Sequence, residues 1–123
     1  MRIYVTHKRD SNYINELYRP LKDSNIGRDN QLILPHDESQ ESYSSRDLFL
    51  NKKVDLVLAE VSNPATGQGI ELGWADVAGL PIICFSKKDA KIANSLKSIT
   101  DKFIVYTDSI DMIEKLNTEI QKK

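Results

Sequence analysis

Apolar positions along the chain follow two alternating patterns. Short runs rich in β-branched and aromatic residues read as strands: Ile3–Thr6, Gln31–Leu34, Val54–Val61, Ile82–Phe85 and Phe103–Tyr106. Val54–Val61 is almost continuously apolar, as in a strand buried on both faces. Between these runs the apolar residues recur at helical spacing. The first such segment opens at Asp10 or Ser11, either of which can cap it, and carries Tyr13, Ile14, Leu17, Tyr18 and Leu21. Pro20 is expected to kink it or end its regular part. Further helices are predicted over Ser45–Lys52, Gly69–Ala78, residues 89–98 and Ser109–Lys122, the last with Ile110, Ile113, Leu116 and Ile120 inward. Residues 24–30, 36–44 and 62–68 read as loops.

Strands separated by helices run parallel, because each crossover returns the chain to the same edge of the sheet. The expected fold is therefore an α/β three-layer sandwich, flavodoxin- or Rossmann-like, with a five-stranded parallel sheet in the order 2-1-3-4-5. It is expected to occupy residues 1–123 as one domain. Ligands of such sheets bind beyond the carboxyl ends of the strands, near the switch between strands 1 and 3. Candidate chemistry is thus sought just after strands 1 to 4.

Composition narrows the partners. Seventeen Lys and Arg stand against 18 Asp and Glu, a formal charge of −1, so the basic excess of a nucleic-acid or anionic-membrane binder is missing. No apolar run suits a membrane span, and the polar start does not read as a signal peptide. The expected location is cytoplasmic. The single cysteine, Cys84, rules out a disulfide within the chain, and no metal-ligand spacing occurs. No metal or cofactor is expected.

Six places could carry chemistry. Gly67 and Gly69 would let backbone approach a ligand, and Glu71 would fall in the first turn of the following helix, where the dipole favours its ionised form. A carboxylate placed there suits a nucleophile or base; it equally suits a surface residue that complements the dipole. Asp47 opens the helix before strand 3, and Tyr4 lies on strand 1. His7, Lys8 and Arg9 follow strand 1 at the carboxyl edge, as a solvated turn or a phosphate contact, and His36 follows strand 2.

The stretch Val54-Asp55-Leu56-Val57-Leu58-Ala59-Glu60-Val61-Ser62-Asn63-Pro64, with Gly67-Gln68-Gly69-Ile70-Glu71-Leu72-Gly73, resembles the signature of the nucleoside 2-deoxyribosyltransferase superfamily. It looks closest to the 2′-deoxynucleoside 5′-phosphate N-hydrolase branch. The resemblance implies that Glu71 is the catalytic carboxylate, that Asp47 is the family's second acid and that Tyr4 is its strand-1 tyrosine. His7, Lys8, His36, Thr66, Gly67, Gly69 and Asn94 would bind substrate. Asn94 matches the position that reaches a neighbouring subunit's site, so a homodimer with shared sites is implied. Two departures stand out. Ala65 replaces the family's polar residue six before the catalytic Glu, and His7-Lys8-Arg9 replaces a Gly-Ser-x-Arg loop.

The resemblance implies cleavage of the N-glycosidic bond of a 2′-deoxynucleoside 5′-monophosphate through a Glu71 glycosyl-enzyme, with no nucleic-acid polymer or membrane as partner. Three alternatives remain open. A nucleoside 2-deoxyribosyltransferase would pass the sugar to a second base, and a degenerate nucleotide-binding sensor would turn nothing over. An NAD-cleaving domain of the Toll-receptor type shares the layer order but differs in the strand-3 motif. A phospho-receiver is disfavoured, because Thr6-His7 and Tyr106-Thr107 stand where its acids and lysine belong.

Overall fold

The β-branched run at the start of the chain forms β1 (Arg2–Thr6), in which every residue from Ile3 onward is buried. A strand buried on both faces belongs inside a sheet. β1 lies between β2 (Gln31–Ile33) and β3 (Leu56–Glu60), parallel to both. β4 (Ile82–Lys87) and β5 (Phe103–Tyr106) complete a five-stranded parallel sheet of order 2-1-3-4-5, as expected. The computed structural model describes residues 1–37 and 44–122, so most of the loop expected at 36–44 lies outside the described residues.

Alternation along the strands divides two cores. Ile3, Val5, Leu56, Leu58, Ile83 and Phe85 face one layer, made by a helical turn over Ile14–Tyr18, α1 (Arg19–Asp23), α2 (Asn25–Asp29) and α5 (Ser109–Gln121). Tyr4, Val57, Ala59, Ile82 and Cys84 face the other, made by α3 (Ser45–Leu50) and α4 (Thr66–Val77). At the amino ends of the strands, Asp55 accepts the Arg2 backbone N–H at 2.7 Å and its guanidinium at 3.1 Å, while the Asp55 N–H donates to the Arg2 carbonyl at 2.8 Å. Asp55, an acidic residue of the family-like stretch, is thus a strap between β1 and β3 at the end remote from the strands' carboxyl edge.

Five expectations are corrected. The first helix does not start at Asp10; a π turn over Ile14–Tyr18 leads into α1, with the Arg19 N–H reaching back to the Ile14 carbonyl. This wider turn places Pro20, which has no N–H, near the start of α1, where none is needed. Residues 24–30 contain α2 rather than a loop: Ser24 Oγ accepts the Ile26 N–H at 3.2 Å, and Ile26 is buried. Gly27 is required there, since a Cβ would come within 2.6 Å of the Leu21 carbonyl oxygen. The helix expected over 89–98 shrinks to a 3₁₀ turn at Asn94–Ser98, because Asp89 has a positive φ of 69° and Ala93 is extended. α4 starts at Thr66, three residues before the predicted Gly69. On α5, Ile110 is 75% exposed and Met112 takes the buried position with Leu116 and Ile120.

Candidate active site

β1 alternation decides which of its side chains can meet. Tyr4 points into the core under α3 and α4, and Thr6, two residues on, points the same way; Val5 points to the opposite face. The Tyr4 hydroxyl donates to Glu71 Oε2, and Thr6 Oγ1 donates to Glu71 Oε1 at 3.1 Å. The Tyr4 ring is buried edge-on against Phe49, with centroids 5.0 Å apart and planes at 83°, so its hydroxyl is held in place by packing. Thr6 was not singled out from the sequence as a site residue, although its period-2 relation to Tyr4 on a buried strand is a signal that would have found it.

Because α4 begins at Thr66, Glu71 stands in its second turn and not in the first. The free N–H groups of the helix start do not explain its placement. Two hydroxyls from β1 do: each carboxylate oxygen receives one, and the half-buried side chain is aimed at the carboxyl edge of the sheet.

Glu71 and Tyr4 line a cleft of about 570 Å³ at that edge. Lys8, Arg9 and Asp10 after β1 form one wall, Pro35 and His36 after β2 a second, and Ser45 at the start of α3 a third. Ala65, Thr66, Gly67 and Gln68 close it beside Glu71. Of the residues singled out from the sequence, Tyr4, His7, Lys8, His36, Thr66, Gly67 and Glu71 therefore meet around one space. Gly69 lines an adjoining cavity of about 320 Å³ with Leu72, Ala93 and Leu96. Asn94 is exposed beside that cavity and away from the cleft's lining. Asp47 is exposed on the first turn of α3, two residues past Ser45.

Both nitrogens of His7 are engaged within the protein. Nδ1 lies 2.8 Å from the Lys8 carbonyl, which can only accept, so Nδ1 carries the proton. Nε2 is then the acceptor for the Tyr18 hydroxyl at 2.8 Å, and Tyr18 also accepts the His36 backbone N–H at 3.1 Å. The His7 ring stacks on Tyr13 at 4.3 Å and meets His36 edge-on at 5.2 Å. Burial lowers the pKa of His7 against the opposing hydrogen bond to the Lys8 carbonyl, with the neighbouring His36 adding to the lowering. Burial and then Arg9 lower that of His36, against the opposing pull of Glu71. His7 thus offers the cleft a ring edge, while Lys8 and Arg9 supply its positive charge.

A second carboxylate, Glu60, ends β3 but is not an alternative to Glu71. It accepts the Ser62 N–H at 2.7 Å, the Ser62 hydroxyl at 2.8 Å and the Tyr106 hydroxyl. Three donors occupy it on the far side of the sheet from Tyr4. Among the described residues no three His, Cys, Asp or Glu side chains cluster as metal ligands.

No protein-family model matches the chain. It is 33% identical over 87 residues to a Methanosarcina mazei protein named "Putative 2'-deoxynucleoside 5'-phosphate N-hydrolase 1", a match over 63% of this chain and 53% of that protein. It is 38% identical over 52 residues to the 5-hydroxymethyl-dUMP N-hydrolase of Mus musculus, over 42% of this chain and 30% of that one. The chain spans about half the length of the first archaeal relatives it matches. Its fold superposes on the CMP N-glycosidase BcmB of Clostridium botulinum with a TM-score of 0.65 at 20% identity, covering 95% of this chain and 99% of that one. These matches bear out the family resemblance drawn from the sequence, and the superposition bears out the α/β architecture.

Proposed function

We propose that the chain hydrolyses the N-glycosidic bond of a 2′-deoxynucleoside 5′-monophosphate, releasing the base and deoxyribose 5-phosphate. The observation that carries this reading is the Tyr4–Glu71–Thr6 arrangement. A carboxylate with both oxygens fixed by hydroxyls lies on a cleft beside two cations, in a chain similar to proteins named as nucleotide N-hydrolases.

Glu71 attacks C1′ as the C1′–N bond breaks, and the bonding electrons leave with the base, which takes up a proton. Asp47, exposed on α3 and outside the cleft's lining, is assigned to that proton on the family resemblance alone. Water then attacks C1′ and gives up a proton that returns to Asp47, the sugar–Glu71 ester bond breaks, and the carboxylate is restored. Tyr4 and Thr6 are positioning residues: they hold Glu71 in line and touch the sugar only through it. Lys8 and Arg9 bind the 5′-phosphate, with His36 on the side of the base. Ala65 withholds the hydroxyl that the resemblance leads one to expect at the phosphate, so charge carries more of that recognition here.

The test is incubation with a panel of deoxynucleosides, deoxynucleotides and their ribose forms, with free base followed by chromatography. The reading expects base from a deoxynucleoside monophosphate, faster than from its ribose form. Glu71→Gln should lower the rate by about a thousandfold or more without a change in thermal melting. A second free base added to the assay should not be converted to a nucleotide. Its conversion would replace hydrolysis with transfer. Activity of Glu71→Gln within tenfold of the parent would remove Glu71 as the attacking group.

A further inference from the structure

Glu60 is the acidic residue of the Ala59-Glu60-Val61 stretch, and the proposed chemistry leaves it without a task. Its carboxylate gathers the Ser62 N–H, the Ser62 hydroxyl and the Tyr106 hydroxyl. The Ser62 hydroxyl oxygen also accepts the Lys87 N–H at 2.8 Å, which joins the loop after β3 to the end of β4. The backbone carbonyl of Glu60 accepts the Gln68 side-chain amide at 2.8 Å. Gln68 is buried and lies three residues ahead of Glu71, on the same side of α4.

The start of α4 needs such support. Its N-cap is Ala65, which offers no side-chain acceptor to the first N–H groups. An uncapped helix start is free to fray, and Glu71 is only one turn further in. What ties this start to the sheet is the Gln68 amide on the Glu60 carbonyl, with the Glu60 carboxylate fixing the loop that leads to it.

We infer that Glu60 is a positioning residue for the hydrolytic site: by pinning Ser62 and the Gln68 anchor point, it sets how far the first turns of α4 carry Glu71 toward the cleft. The inference rests on the reading of Glu71 as nucleophile, but the anchoring itself does not. Glu60→Gln disrupts the carboxylate's donor set, because an amide offers one accepting oxygen and turns an NH₂ group toward donors. Ser62→Ala removes the hydroxyl arm and, with it, the acceptor of the Lys87 N–H.

Both variants should be compared with the parent chain by hydrogen exchange and by steady-state kinetics of base release. Amides of Gly67 to Leu72 should exchange about tenfold faster in each variant, with those of α5 unchanged. The kcat should fall about tenfold with KM within threefold, and Ser62→Thr should recover most of both losses. Unchanged exchange in α4 overturns the inference. So does faster exchange spread evenly over the chain with a matching drop in melting temperature, since Glu60 would then only hold the fold together. If the parent chain releases no base from any nucleotide, the hydrolase reading fails, and the exchange comparison alone decides whether Glu60 anchors α4.

Discussion

At the scale of single residues, two hydroxyls on one strand face are the core of the proposed site, and they are separable. A hydrogen bond to an ionised carboxylate contributes about 1.5–3 kcal/mol, so Tyr4→Phe should lower kcat by roughly ten- to a hundredfold. Thr6→Val, nearly isosteric, should cost less, because it leaves the Tyr4 contact with Glu71 intact. The double variant should lose more than either, measured as base release at saturating substrate. Equal activity of Thr6→Val and the parent would reduce Thr6 to a core residue. Tyr4 was legible as a site residue only through the family resemblance, since a strand tyrosine by itself reads as core. Thr6 was legible in principle from alternation but has no chemical signature of its own. His7 was read as a substrate contact, yet its partners are Lys8 and Tyr18, supplied by the local turn and by a helix whose distance no spacing rule reveals.

Elements explain the larger misreading. Gly67 and Gly69 have low helix propensity, so local sequence argues for a loop up to Gln68. Tertiary anchoring of Gln68 overrides that preference and starts α4 at Thr66. Two substitutions follow from this geometry. Ala65→Ser supplies the missing cap, which contributes about 1 kcal/mol, or roughly 4 °C in melting temperature. It also returns a hydroxyl to the cleft wall, and KM for a deoxynucleoside monophosphate should fall several-fold. Gly67→Ala meets no protein atom within 4 Å, so the fold should tolerate it or gain up to about 1 kcal/mol. Because Gly67 lines the cleft, the added methyl should raise KM for substrate. An unchanged KM would mean that substrate stays clear of this turn. The strands and their parallel direction, by contrast, were open to reading from the alternation of apolar runs and helices, while the order 2-1-3-4-5 came from its being the common arrangement for a sheet of this size.

Across the whole molecule, the near-neutral charge conceals local polarity: Lys8 and Arg9 face the cleft, while Arg2 and Asp55 pair at the opposite ends of the strands. The two kinds of site should separate on a pH axis. His7 and His36 have pKa values below the ordinary 6.5, so the unfolded chain binds protons first as pH falls. Stability should be full above that value and decline below it, chiefly through His7, because the more exposed His36 is screened by solvent. His7→Gln should flatten this slope in melting curves between pH 7 and 5 (roughly the range in which a histidine titrates). Asp55, held down to about 2 chiefly by the Arg2 side chain, gives stability present above its ordinary 3.8 and lost only as pH falls further. It does not interfere with that window. The placement of Tyr4 against Glu71 also has a kinetic side. The two residues are 67 positions apart in the chain, and Thr6 and Glu71 are 65 apart. Parallel pairing of β1 with β3 must close a long loop before any of the three can touch, and loop closure of that kind slows folding. α5 and the neighbouring β4–β5 crossover are far more local and can form ahead of it. A refolding chain should therefore regain most of its helical signal before it regains any capacity to cleave a nucleotide, and the interval between the two is the time β1 takes to find its place at the centre of the sheet.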